Sequence, residues 1–221
     1  MSTRYVFCIV RTLVSGSDKK LNAVHKLQDQ ISITVASPEK AQLLLPSYQT
    51  KSLDKTREPL IELFETESKD EMFGNEADVN PISHVIGAAG GWGGLPRNRA
   101  TYESYTVENN DGETEYSIVV PANVPVDGFW SITVYNEVGF FFHRVECSNK
   151  NQFNTVRESD GSTIIHFSND ERRKNNINIK KGWNYTIRMY DPQPPILSRK
   201  WKFPKATPVF DSSLWLQPLL G

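Results

Sequence analysis

The chain has 221 residues, 38% hydrophobic and 23% charged, enough for one large or two small domains whose core needs no metal or disulfide staple. Lysine plus arginine and aspartate plus glutamate nearly cancel, 25 against 26, so no global field draws in nucleic acid or an anionic membrane. No apolar run approaches the ~20 residues that cross a bilayer.

In chain order, Arg4 to Val14 is β-branched and aromatic and predicts an N-terminal strand. Cys8 lies inside it and is expected as a buried thiol behaving as a small hydrophobe. The same stretch is too short for a signal peptide and has no small-residue cleavage site, which points to a cytoplasmic location. A helix fits Asp18 to Ile31, with Leu21, Val24, Leu27 and Ile31 on one stripe and His25 off it. Residues 36–51 have no period and read as loop. A second helix follows from Ser52, with Leu53, Leu60, Leu63 and Phe64 converging. Pro59 requires that it start near Thr56 or kink, because an interior proline costs ~3 kcal/mol or more.

The third helix has the clearest start: Asn80 as cap, Pro81 in the first turn, then Ile82, Val85 and Ile86 as a buried stripe. The glycine cluster Gly87 to Gly94 ends it and lets the backbone pass close to another segment. That cluster has neither a phosphate-loop lysine nor a dinucleotide fingerprint, and it follows a helix instead of opening one.

Beyond Thr101 the pattern becomes β. Strands are predicted at Tyr102–Val107, Thr114–Val120, Phe129–Tyr135, Phe140–Val145, Thr163–Phe167 and Tyr185–Tyr190. In Trp183–Tyr190 the odd positions are apolar and the even ones polar, giving one core face and one wet face. Asp111-Gly112 and Asp160-Gly161 carry hairpin chemistry. Arg172-Arg173-Lys174 beside Asp170 and Glu171 reads as a solvated loop. The expected organisation is a strand plus helical segment over 1–100, an antiparallel β-sandwich over 101–209, and an apolar tail over 210–221. The tail docks on the chain's own body or covers a partner.

Four segments in order, NPISHVIGAAGGWGG (Asn80–Gly94), FWSITVY (Phe129–Tyr135), GWNY (Gly182–Tyr185) and ILSRKWKFP (Ile196–Pro204), resemble the family known as domain of unknown function 1214. The opening Thr3 to Phe7 resembles the middle of longer members, which carry a 1254-type domain in front and are often exported. The resemblance implies a mainly β, jelly-roll-like sandwich with about three helices, and no activity. The chain departs from the family's usual pattern after Gly139, where it has Phe140-Phe141-Phe142-His143-Arg144. It departs again at Ser168–Arg172, in place of a cysteine-containing glycine-rich loop.

No reaction is spelled out. Ser83 and Ser131 lack a nucleophile's strained turn. Cys147 follows His143 by four residues without a readable geometry. His143 and Glu146 fall on opposite faces of a strand, and His166 sits on a polar face. His84 is expected to pack or hydrogen-bond locally. Asn109–Glu113 lacks the spaced ligands of a calcium loop, and the Asn184-Tyr185-Thr186 sequon lies in a strand. The reading is therefore a non-catalytic domain that binds a small molecule or protein, without metal or cofactor, with Trp92, Arg97, Tyr135, His143 and Arg188 as candidate ligand contacts. Trp92, Arg97 and Arg99 would line a cleft between helical and β parts. The alternatives are a hydrolase of a small polar or phosphorylated substrate using Arg97, His143 and Arg188, and a shortened form working as a homo-oligomer.

Overall fold

The structure is a computed structural model that describes residues 8–10, 12, 18–34, 47–91, 93–142 and 148–209. Two compact units are distinguished, Met1–Thr56 and Arg57–Gly221. In the first, α1 spans Asp18–Asp29. Its apolar stripe forms at helical spacing, but only Val24 is buried, while Leu21, Leu27 and Ile31 are exposed. The predicted N-terminal strand is corrected: the described residues Cys8, Ile9, Val10 and Thr12 are not in a strand, and Cys8 is an exposed free thiol. β-branched composition makes a strand only where a neighbour supplies the other half of the ladder, and none does so among the described residues.

α2 spans Thr50–Thr66 and runs on through Pro59, so neither expected solution for that proline, a late start or a break, is adopted. α3 spans Pro81–Gly91. Asn80 caps it as expected, its Oδ1 accepting from the N–H groups of Ile82 at 2.9 Å and Ser83 at 3.2 Å. Ile86 is buried, yet Ile82 and Val85 are exposed, which corrects the expected stripe. The contact face of this helix is made of its glycines instead. A Cβ on Gly87 would sit 2.8 Å from Met72, on Gly90 2.2 Å from the Phe64 ring, and beyond the helix on Gly94 2.4 Å from Phe73. His84 packs edge-on to Phe73 at 6.0 Å, with Nδ1 2.8 Å from the Met72 carbonyl oxygen.

The rest of the second unit is mainly β: two four-stranded sheets share one core. One has the order β1 (Ala100–Thr106), β7 (Asn184–Tyr190), β3 (Trp130–Tyr135), β4 (Asn149–Asn151), antiparallel throughout. The other has the order β6 (Asn176–Ile177), β5 (Thr163–Phe167), β2 (Tyr116–Val120), β8 (Thr207–Pro208), with β5 and β6 parallel. Alternation decides which side faces inward. Tyr185, Ile187 and Met189 of β7 meet Ile118 and Val120 of β2 and Ile165 and Phe167 of β5 in a single apolar cluster. Phe167 stacks on Trp183 with ring centres 5.0 Å apart and lies 5.3 Å from Tyr185. A one-turn helix α4, Pro194–Leu197, follows β7.

Two β expectations are corrected. Phe140–Phe142, the described part of the predicted strand Phe140–Val145, is a turn and bend. There Asn136 organises the chain, its Oδ1 accepting from Val138 and Phe140, and Gly139 takes φ +87. The Asp-Gly pairs make turns but not hairpins. Gly112 and Gly161 both have φ +83, and Asp111 Oδ1 accepts from Glu113 and Thr114 at 2.8 Å. The first turn nevertheless leads from β1 in one sheet to β2 in the other, and the second from β4 to β5 across the same gap. The predicted tail over 210–221 lies outside the described residues.

Candidate functional site

The outward face of the β1-β7-β3-β4 sheet follows from register. Tyr102 of β1, Arg188 of β7, Ser131 of β3 and Asn151 of β4 form one row across the strands, and Ser104, Thr186, Thr133 and Asn149 form the next. Then come Thr106, Asn184 and Tyr135. Every position is polar, none is acidic, and Arg188 alone brings a full charge.

A continuous polar network crosses three of the strands. Asn151 Nδ2 donates to Asn149 Oδ1 at 3.2 Å, and Asn149 Nδ2 donates to Thr133 Oγ1 at 2.8 Å. The Arg188 guanidinium donates to Thr133 Oγ1 at 3.2 Å and to the Tyr135 hydroxyl at 2.7 Å. These bonds explain how Ser131 and Thr133, outward-facing by register, come to be 6% and 5% exposed: long polar side chains lie over them. Ser104 and Thr186 hydroxyls meet at 3.0 Å on the β1 side.

Aromatic rings bound this face at both ends. Tyr135 stacks on Phe141 at 5.2 Å and lies 5.6 Å from the Arg188 guanidinium carbon. Two residues beyond Arg188, Tyr190 stacks on Phe129 at 4.4 Å, and Phe129 packs at 5.4 Å on Phe153, which is exposed. The arginine thus sits between two ring clusters on a floor of hydroxyls and amides, held by neutral acceptors alone among the described residues.

Of the five candidate contacts read from sequence, Tyr135 and Arg188 are brought together. Arg97 is engaged elsewhere: Nε lies 2.9 Å from Asp70 and a terminal nitrogen donates to the Leu197 carbonyl. Asp70 also holds Arg199 at 2.9 Å, so Arg97 serves as a staple onto α4. Arg99 pairs with Asp191 at 3.0 Å. Trp92, His143 and Cys147 lie outside the described residues. Sequence reading missed Thr133, Asn149 and Asn151. Thr133 stands in a run buried at nearly every position, Trp130 to Val134, and Asn149 and Asn151 flank a lysine in a strand of three residues, so no alternation marked them.

On the inward face, Glu103 opposes Ile187 and Tyr105 opposes Tyr185. Burial, then the hydrogen bond Tyr105 donates to Glu103, pushes the Tyr105 phenol far above its ordinary range. Burial likewise raises Tyr185, whose hydroxyl accepts the Ala206 N–H at 2.9 Å. His166 is on the polar side of β5 as expected; partial burial, then the positive field of Arg173, lowers its pKa. Among the described residues no group of three or more His, Cys, Asp or Glu is placed to hold a metal ion, and no helix is long and apolar enough to cross a membrane.

Residues 100–194, from the first strand to the first residue of α4, match the model of the family described as "Protein of unknown function (DUF1214)". The chain contains a DUF1214 domain. No curated protein matches the chain. Among solved structures it is similar to the VPA0106 protein from Vibrio parahaemolyticus, at 17% identity and a TM-score of 0.58, over 89% of this chain and 67% of that one. That likeness establishes a shared fold extending beyond the DUF1214 domain. An uncharacterised protein from Burkholderia cenocepacia aligns over 72% of this chain and 49% of its own at 10% identity. Its TM-score of 0.33 is too low to bear on the fold.

Proposed function

We propose that the DUF1214 domain is a non-catalytic binding module of jelly-roll-like connectivity, whose site is the outward face centred on Arg188 and Tyr135. Its ligand is a small hydroxylated carboxylate such as an acidic sugar. The observation that carries this reading is the charge pattern: one guanidinium on a face whose register positions are otherwise hydroxyl, amide or aromatic. A guanidinium satisfied only by neutral oxygens retains its attraction for a carboxylate, which it grips through two parallel N–H groups. The hydroxyls and amides suit a polyol, and the ring clusters offer apolar surface to the C–H side of a sugar. The chain's alternation between layers, β1 to β2 to β3, supports the jelly-roll-like connectivity.

Titration of glucuronate, followed through amide shifts of residues 131–135 and 184–190, tests it. Saturable shifts there are expected, with weaker binding of neutral glucose and at least tenfold weaker binding in Arg188→Gln. Equal binding of glucose and glucuronate, or an unaffected Arg188→Gln variant, would overturn the assignment.

A further inference from the structure

Arg157 is set apart from every other described arginine. Arg97 and Arg199 pair with Asp70, Arg99 with Asp191, Arg172 with Asp170, and Arg173 with Glu115. Arg57 donates to the Ala89 carbonyl and Arg188 to Tyr135 and Thr133. Arg157 has no hydrogen-bond, ion-pair or ring partner among the described residues, and it lines a cleft of about 340 Å³.

The walls of that cleft are fixed by backbone bonds. The β2–β3 connection is bonded to the chain after β7: Asp127 N–H donates to Asp191, Gln193 N–H to Pro125, and Val126 bridges Pro192. A Cβ at Gly128 would lie 2.8 Å from the Tyr190 carbonyl oxygen, so only glycine lets these strands of backbone lie so close. On the opposite wall the Asn175 side chain clamps the residue preceding Arg157. Its Oδ1 accepts the Val156 N–H and its Nδ2 donates to the Val156 carbonyl, both at 2.8 Å. Glu158, just after Arg157, donates its N–H to Ser162 at 2.8 Å.

The lining is mixed in a way that specifies a ligand. Val124, Pro125, Val126 and the indole of Trp130 make an apolar surface, and Gln152 and Gln193 add amides. Gln193 Nε2 is spent on Asp127 at 2.7 Å, which neutralises the acidic group nearest in the chain and leaves the Gln193 oxygen as an acceptor. We infer that this cleft is a second, separate binding site that takes a small monocarboxylate with a flat apolar body, its carboxylate on Arg157 and its body against Trp130 and Val124. A volume near 340 Å³ is at the small end of ligand pockets, and walls held in place before binding lower the ordering cost.

Phenylacetate titrated into the full-length protein, read from the Trp130 indole N–H and the amides of Val124, Gln152 and Arg157, decides the matter. Saturable shifts at these positions are expected. Acetate and phenylacetamide should each bind at least tenfold more weakly, one lacking the body and the other the charge. Arg157→Gln should cost tenfold or more at unchanged Tm, because the side chain is exposed, while Arg188→Gln should bind phenylacetate like the parent. That last arm separates this site from the sheet face. Absence of saturable shifts, shifts confined to residues 184–190, or full affinity in Arg157→Gln would each overturn the proposal.

Discussion

A methyl group added at Gly90 would lie 2.2 Å from the Phe64 ring, while one added at Gly91 meets nothing within 4 Å. The two neighbours in α3 should therefore respond in opposite senses. Gly90→Ala overpacks a close contact and is expected to destabilise by about 1–3 kcal/mol. Gly91→Ala gains helix propensity at no steric cost, up to about 1 kcal/mol. Urea denaturation of the pair checks this; equal midpoints would mean that α3 is not held against Phe64 as described. A second single-residue test concerns His166, whose native pKa is depressed by burial and by Arg173, against opposing effects from Glu115 and Glu158. A histidine that binds its proton less well when folded supports the native state above its unfolded pKa of about 6.5 and loses that support as pH falls through the lowered native value. Stability should decline from pH 6.5 downward, with a shallower slope in His166→Gln. Asp111, Asp160 and Asp170 also have lowered pKa values, each through hydrogen bonds, so their contributions fade only below the ordinary carboxylate range and leave this window to the histidine. An unchanged slope in the variant would remove His166 as its source.

At the scale of elements, legibility tracked how much of each pattern was local. β5 and β7 alternate buried and half-exposed residues along their whole length, and their strands were readable from that period alone. β6 and β8 are two residues each and β4 reads Asn-Lys-Asn; such segments become strands because a neighbour offers its edge, which no local pattern records. The Asp-Gly turns misled for a related reason. The dipeptide reports φ, and it says nothing about which sheet receives the next strand. The sheet-face site was half legible: Tyr135 and Arg188 stood out singly, but their meeting depends on the β3–β7 register, a pairing of residues 53 apart in sequence. Asn175 was invisible for the same reason, yet it joins the β4–β5 connection to β5. Beyond its two bonds with Val156 it donates to the Ile164 carbonyl at 3.0 Å, from a backbone at φ +53 and with 8% exposure. Asn175→Ala removes three hydrogen bonds and leaves the partners buried, so a loss of about 2–4 kcal/mol is expected. Asn175→Gly, which relieves only the backbone, should recover less than half of it. Thermal unfolding of the two variants separates the bonds from the conformation, and a near-wild-type Asn175→Ala would sink the clamp.

At the scale of the β-rich body, the decisive property is that neither sheet has a core of its own. Phe167, in the β6-β5-β2-β8 sheet, is fully buried and stacks on Trp183 just before β7, while touching Tyr185 within β7. Ile118 and Ile165 on one side and Ile132 and Ile187 on the other are 0% exposed in the same cluster. A cut that weakens one sheet must therefore loosen the other, since the apolar surface each buries is mostly the other's. Phe167→Ala should cost about 3–5 kcal/mol. The loss should appear in amide exchange at Ile132 and Ile187, across the layer gap, as fully as at Ile165 beside the substitution. Independent sheets would give a different outcome, with Ile165 exchanging faster while β3 and β7 keep their protection. Coupled exchange would also explain how a face built on β3 and β7 holds Arg188 and Tyr135 in register, since that register rests on a layer whose other side is packed without gaps against its partner.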